Sequence, residues 1–376
     1  MSGRPTLPQF GLLPAVLMDP SITSSLSARE WNDLLTAARE NALIARLTVV
    51  LSDAGLLAQA PAKARRHMRA SEIAAESTHM AVRLEANKVL RALADVDTPI
   101  VLLKGSAYVM AGLSPARGRY VGDLDFMVPR EKIGEVEEVL IREGWIPTEM
   151  DEYDQRYYRE WAHEIPPLQH RDRETPIDVH HTIVALTARV RPDAAALLAA
   201  SVPLEDSRAR VLAPADMVLH SAVHLFNDDV GKPLRDLLDQ DDLLREFGAR
   251  PGFWDDLVAR ARLHGLGRPL FHMLRQTRRI LGTPIPPEVE QGAAAWAPGL
   301  IVRGTMDRLF ALRFSGEAWA RRPSGTAFAN GVLYVRSHWL RMPFPLLVRH
   351  LSVKALRRVQ ERFEGTPPVG EDVHPV

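Results

Sequence analysis

Two long helix-forming stretches enclose one short block, Pro99 to Ile183, in which apolar runs are cut by turn formers at strand spacing. That pattern demands an α+β fold, with a helical lead-in before the strands and a helical domain after them. The expected divisions are 1–95 for the N-terminal helical region, 96–191 for the strand-bearing core, 192–364 for an all-helical C-terminal domain and 365–376 for a Pro-rich, disordered tail. Ser27 to Asp95, rich in Ala, Leu, Arg and Glu, predicts three or so helices broken near Asp53-Ala54-Gly55 and Ala60-Pro61. After Pro192 the helical spans are Asp193 to Ala200, Pro214 to Phe226, Pro233 to Phe247, Trp254 to Leu263 and Arg268 to Leu281.

Inside the block, Pro99 to Leu103 reads as a buried strand that ends at Lys104-Gly105-Ser106, with a short helix over Ala107 to Leu113. Gly122 to Val128 is a second strand stopped by Pro129, and Glu131 to Arg142 a helix stopped by Gly144. Further strands are expected around Ile146-Pro147, Trp161 to Leu168 and Pro176 to Ile183.

Composition narrows the function classes. Lys plus Arg equals Asp plus Glu at 47 each, so nothing calls for a long polyanion such as duplex DNA. The absence of cysteine removes disulfides, thiolate zinc sites and cysteine nucleophiles together. A cytoplasmic location is expected, since Met1 to Pro20 is broken by four prolines and no apolar run reaches membrane-spanning length.

The chemistry-bearing residues are carboxylates. In Asp123-Leu124-Asp125 a strand's period of two sends both acids to one face, where two like charges are costly unless a cation joins them. Hard oxygen ligands select Mg2+ or Mn2+. A third acid, Asp178, interrupts an otherwise apolar strand in Ile177-Asp178-Val179-His180 and needs a partner. Upstream, Lys104-Gly105-Ser106 opens a helix at a strand end, where free N–H groups suit phosphate, Gly105 permits close approach and Ser106 adds a hydroxyl.

With Leu103-Lys104-Gly105-Ser106, Arg119, Gly122 to Val128 and Ile177 to His181, the chain resembles the uncharacterised bacterial nucleotidyltransferase family of the DNA polymerase beta-like superfamily over roughly residues 30 to 350. The resemblance implies a small mixed sheet flanked by helices, Gly105 and Ser106 holding the phosphates of an NTP substrate, and Asp123, Asp125 and Asp178 as catalytic residues binding two metal ions. It leaves the acceptor open among small molecules, peptides or proteins, and RNA ends. The seventeen positions from Ser106 to Asp123 exceed the spacing in many members, so Gly112 to Tyr120 must form an extra loop.

Other residues carry two readings each. Arg117, Arg119 and Lys104 are phosphate contacts or solvated flanks, and Arg235-Asp236-x-x-Asp239 either packs over the nucleotide, as in the family, or pairs at the surface. His180 shares the strand face of Asp178 and is placed to orient the acceptor or a carboxylate, whereas His181 points away. His220 and His224 have zinc-binding spacing on a helix but lack a third ligand, which favours a packed face. Trp339 to Leu351 mixes aromatic, apolar and basic residues; its prolines favour packing over contact with a membrane surface. Should Asp178 not be the third acid, Glu164 or Asp172 is next. A glycosyltransferase also uses Asp-x-Asp but needs neither the upstream Gly-Ser nor the third acid. A non-catalytic nucleotide-binding or scaffold protein on the same fold is the alternative from another class, and the intact carboxylates argue against it.

Overall fold

The computed structural model describes residues 10–148, 158, 161–228, 231–345, 347 and 348; the tail 365–376 and the end of the Trp339 to Leu351 segment lie outside these. Helix α1 (Leu12–Met18) precedes three longer helices, α2 (Ala28–Glu40), α3 (Ile44–Asp53) and α4 (Ala62–Ala92). Ser27 starts α2 with a reciprocal cap: its hydroxyl accepts from the Glu30 N–H, and the Glu30 carboxylate accepts from the Ser27 N–H at 2.8 Å. The breaks at 53–55 and 60–61 are where the sequence puts them. A further break leaves no breaker residue behind, because Ala42 (φ 56°) takes the left-handed position that glycine normally marks, and Leu43 N–H donates back to the Ala38 carbonyl at 2.7 Å.

Among the described residues the sheet has seven strands: β1 (Ile100–Leu102), β2 (Leu124–Met127), β3 (Trp145–Pro147), β4 (Leu168–His170), β5 (Pro176–His180), β6 (Val202–Pro203) and β7 (Ala209–Val211), in the order β3-β4-β5-β2-β1-β7-β6. It is mixed, as expected: β2 runs parallel to β5 and β1 parallel to β7, while the other neighbours are antiparallel. Between the strands come α5 (Lys104–Met110) and α6 (Ile133–Arg142).

Three details differ from the sequence expectation. Helix α5 starts at Lys104 and not at Ala107, so Lys104, Gly105 and Ser106 form its first turn. The strand expected over Trp161 to Leu168 is instead β4, beginning at Leu168, because Pro166 and Pro167 lack the N–H groups a ladder needs; upstream of them Glu164 makes an isolated bridge to His180. The sheet also runs past position 191, since β6 and β7 are two and three residues long, too short to show alternation.

The remaining helices are α7 (Ala194–Ala200), α8 (Pro214–Asn227), α9 (Pro233–Gly248), α10 (Phe253–Leu263), α11 (Gly267–Leu281), α12 (Pro287–Ala294), α13 (Leu300–Arg313) and α14 (Thr326–Arg341). Helix α8 is the hub of this group and packs on α9, α10, α11 and α14, as well as on α5. One contiguous set of buried apolar side chains runs from Leu13 to Leu333, so the helical regions and the sheet share a core. Among the described residues no helix is long and apolar enough to cross a membrane.

The edge of the sheet is tied to α4 by one buried acid. Glu85, 1% exposed, accepts from the Trp145 indole N–H at 2.7 Å and from Arg173 Nε at 2.6 Å, while the Arg173 guanidinium lies over the Trp145 ring. Removing one partner of such a buried pair strands the other. Glu85→Ala is therefore expected to destabilise the protein by about 3–5 kcal/mol, read as a lowered urea midpoint with an unchanged slope. A shift within the ordinary surface range would show that Arg173 and Trp145 find water instead.

Candidate active site

The acids are brought together by strand register. In the parallel pair β2 and β5, Asp125 lies directly opposite Asp178, and Asp123 precedes Asp125 by one strand period. The three residues each present a carboxylate oxygen within 4.8 Å of the others, while Leu124, Phe126, Ile177 and Val179 alternate with them and are wholly buried.

The charges in this cluster are unevenly answered. Asp125 Oδ1 accepts from both Lys104 Nζ and His180 Nε2, each at 2.9 Å. Burial pushes the Asp125 carboxyl up, but Lys104 and then His180 outweigh it and hold the group below the usual carboxylate range. Lys104 is correspondingly kept charged: burial disfavours its ammonium, yet Asp125, Glu164 and Asp123 together raise its pKa. At Asp178 the attraction of Lys104 is outweighed. The Asp178 Oδ1 is buried without a hydrogen-bond partner, and burial, followed by repulsion from Glu164, Asp125 and Asp123, drives its pKa well above the usual value. An orphaned carboxylate oxygen facing two more acids is a donor set of hard oxygens that fits Mg2+ or Mn2+.

Lys104 enters this site from a backbone position with φ 44°, left-handed for a residue with a side chain. Gly105 leaves room for its neighbour, since a Cβ there would collide with the Arg119 guanidinium and Val121. Ser106 turns its hydroxyl to the backbone. Because α5 starts three residues early, Ser106 falls on its inner side, fully buried, and its hydroxyl reaches the carbonyls of Leu103 (2.7 Å) and Asp125 (2.9 Å). It joins α5 to β2 at the backbone of Asp125.

The loop over Gly112 to Tyr120 is pinned to the helices. Ser114 N–H donates to Glu246 at 2.8 Å, and Arg117 makes a forked pair with Asp53 at 2.8 and 2.9 Å, so Arg117 faces away from the carboxylates. Arg119 is turned inward: its Nε donates to Asp239 at 2.8 Å and its guanidinium lies 5.7 Å from the centre of the Tyr108 ring. Arg235 pairs with Asp236, whose other oxygen is buried without a partner. The Arg235-Asp236-x-x-Asp239 segment of α9 is thus a buried network with Arg119 and not a surface pair.

Two neighbours of the carboxylates carry weak sequence signals. Glu164, named only as a substitute for Asp178, stands beside it, with Oε2 3.2 Å from His180 Nδ1; Asp172 is 76% exposed on the β4–β5 turn. His220 is buried on α8, with burial first and Lys104 second lowering its pKa, so the packed face expected of it looks onto the site. His224 instead pairs with Asp228 at 3.4 Å. Helical spacing identifies such a histidine as inward-facing but does not say what lies opposite.

Comparison with known proteins gives a family match. A family model described as an uncharacterised nucleotidyltransferase matches residues 27–282, which include every residue of the cluster. No curated protein matches the chain.

The raised pKa of Asp178 gives a test without a substrate. As pH rises past the ordinary aspartate value, the unfolded chain releases this proton while the native protein keeps it, so the group's stability cost grows until its native pKa is passed and stays at its full value above that. Asp178→Asn removes that cost. Metal-free Asp178→Asn is expected to melt at or above wild type at pH 7, with the difference vanishing below about pH 4, and to lose the rise in Tm that millimolar Mg2+ gives wild type. Equal Mg2+ stabilisation of both proteins would place the cation elsewhere.

Proposed function

The chain belongs to the uncharacterised nucleotidyltransferase family, and from that premise we propose that it transfers a nucleotidyl group from an NTP to an acceptor, with release of pyrophosphate. The observation that carries the reading is the strand register that sets Asp178 opposite Asp125 with one oxygen unanswered. Asp123, Asp125 and Asp178 would hold divalent cations, Mg2+ or Mn2+. When bound, such ions neutralise the phosphates and stabilise the oxygens that attack and leave.

The chain's own residues divide the remaining work. Lys104 supplies positive charge beside Asp125 at the start of α5, where the triphosphate would lie, and Gly105 keeps that turn free of a side chain. Ser106 fixes the backbone of Asp125 to α5. Arg119, beside Gly105 and held by Asp239, and Arg235, held by Asp236, are the nucleotide contacts of this reading. Asp178, on a separate strand facing the other two acids, is the group assigned to take the acceptor's proton as the new acceptor–phosphorus bond forms and the bond to pyrophosphate breaks. The acceptor class remains a small molecule, a peptide or protein, or an RNA end.

Asp123→Asn and Asp125→Asn test the proposal most directly, because they keep side-chain size and remove cation-binding charge. Each is expected to lower single-turnover nucleotidyl transfer, scored as self-modification or on an added acceptor, by about 1,000-fold or more while retaining a cooperative melt. Transfer at wild-type rates in both would remove the proposal, and absence of MgNTP binding by the wild-type protein would favour a scaffold on the same fold.

A further inference from the structure

Beside the three aspartates lies a second, chemically different cluster that the transfer reading does not use. His163, Glu164 and His180 offer ligand atoms within 4.8 Å of one another. His180 Nδ1 stands 3.2 Å from Glu164 Oε2, and His163 Nε2 stands 3.6 Å from the same oxygen. Ligands about 2.0–2.1 Å from a tetrahedral zinc-like ion are about 3.3–3.4 Å apart, so both separations are close to tetrahedral edges.

His180 makes the case for a cation between these atoms. It is wholly buried, and its Nε2 faces Asp125 Oδ1, an acceptor, so that nitrogen carries the proton. Its Nδ1 stands 3.2 Å from the Glu164 carboxylate oxygen and has no hydrogen-bond partner. A buried ring nitrogen and a carboxylate oxygen at that separation are a pair of ligand atoms for one cation. The Lys104 ammonium is already engaged at Asp125. The arrangement Asp125, His180, ligand position also matches the carboxylate–histidine–metal relay in which the far nitrogen's hydrogen bond fixes the tautomer that leaves the near nitrogen free to bind.

The backbone holds these residues in place. Glu164 and His180 form an antiparallel bridge, Ile165 N–H donates to the Val179 carbonyl at 3.1 Å, and His181 N–H donates to the His163 carbonyl at 2.9 Å. The ligands are thus fixed by main-chain pairing before any ion arrives.

We propose that His163, Glu164 and His180 form a three-ligand site for a first-row transition-metal ion of the zinc class, with an open fourth position, separate from the all-oxygen Mg2+ cluster. Two imidazoles and one carboxylate select such an ion over Mg2+, which prefers oxygen alone. The ion would clamp the segment before Pro166 onto β5 and lock the His180 tautomer that donates to Asp125. The inference does not depend on nucleotidyl transfer.

The test uses Co2+ as a spectroscopic substitute, titrated into metal-stripped full-length protein with Mg2+ in large excess to compete at the aspartates. One equivalent should bind with the strong visible absorption of four-coordinate Co2+, and Zn2+ should displace it. His163→Ala, at a partly exposed position, and the isosteric Glu164→Gln should each weaken Co2+ binding by about 100-fold or more, beyond the loss typical of an outer partner. No four-coordinate spectrum in wild type, or an unchanged one in either folded variant, overturns the proposal and leaves His180 as a doubly protonated bridge between Asp125 and Glu164.

Discussion

Parallel pairing of β2 with β5 is the constraint on which the site depends, because it sets two acids from distant parts of the chain directly across from each other in a partly dry place. Asp125 and Asp178 are 53 positions apart in sequence and partners in register. A slip of one residue would send Asp178 to the opposite face and replace it with Ile177 or Val179. The buried alternates Ile177 and Val179 prevent that slip, since each would be carried out of the core they share with Leu124 and Phe126. Packing therefore defends the position of charges that repel one another.

The helices answer that repulsion selectively. Lys104 from α5 neutralises Asp125, and His220 on α8 stays uncharged nearby. Behind them, Arg119 and Arg235 are balanced by Asp239 and Asp236. These pairs join the loop after α5 to α9, so the sheet and the helical half of the molecule meet at charged groups next to the candidate site. Pairs of this kind add little net stability, but their geometry fixes where cationic groups point.

What the sequence made legible follows from periodicity. The acids of β2 and β5 stood out because they interrupt apolar strand runs, and α8 to α11 because their apolar spacing is regular over three or four turns. What stayed hidden had no local mark. Ala42 breaks a helix without glycine, and β6 and β7 become strands only through pairing with β1 and each other. Glu164 and His163 sit before two prolines in a stretch with no regular period, and only the bridge to His180 gives them a role. The placement of Ser106 was hidden for a related reason: Gly-Ser reads as an open turn, whereas here it lies inside the first turn of α5.

The left-handed backbone of Lys104 bears on how this protein can change. A non-glycine residue with φ 44° carries a conformational penalty of about 1 kcal/mol or more, which glycine would relieve at once. Glycine would also take away the ammonium that holds Asp125 ionised. Position 104 is therefore a point where the more comfortable chain and the more useful chain diverge. Drift towards thermal robustness at this residue would proceed by disarming the carboxylate next to it.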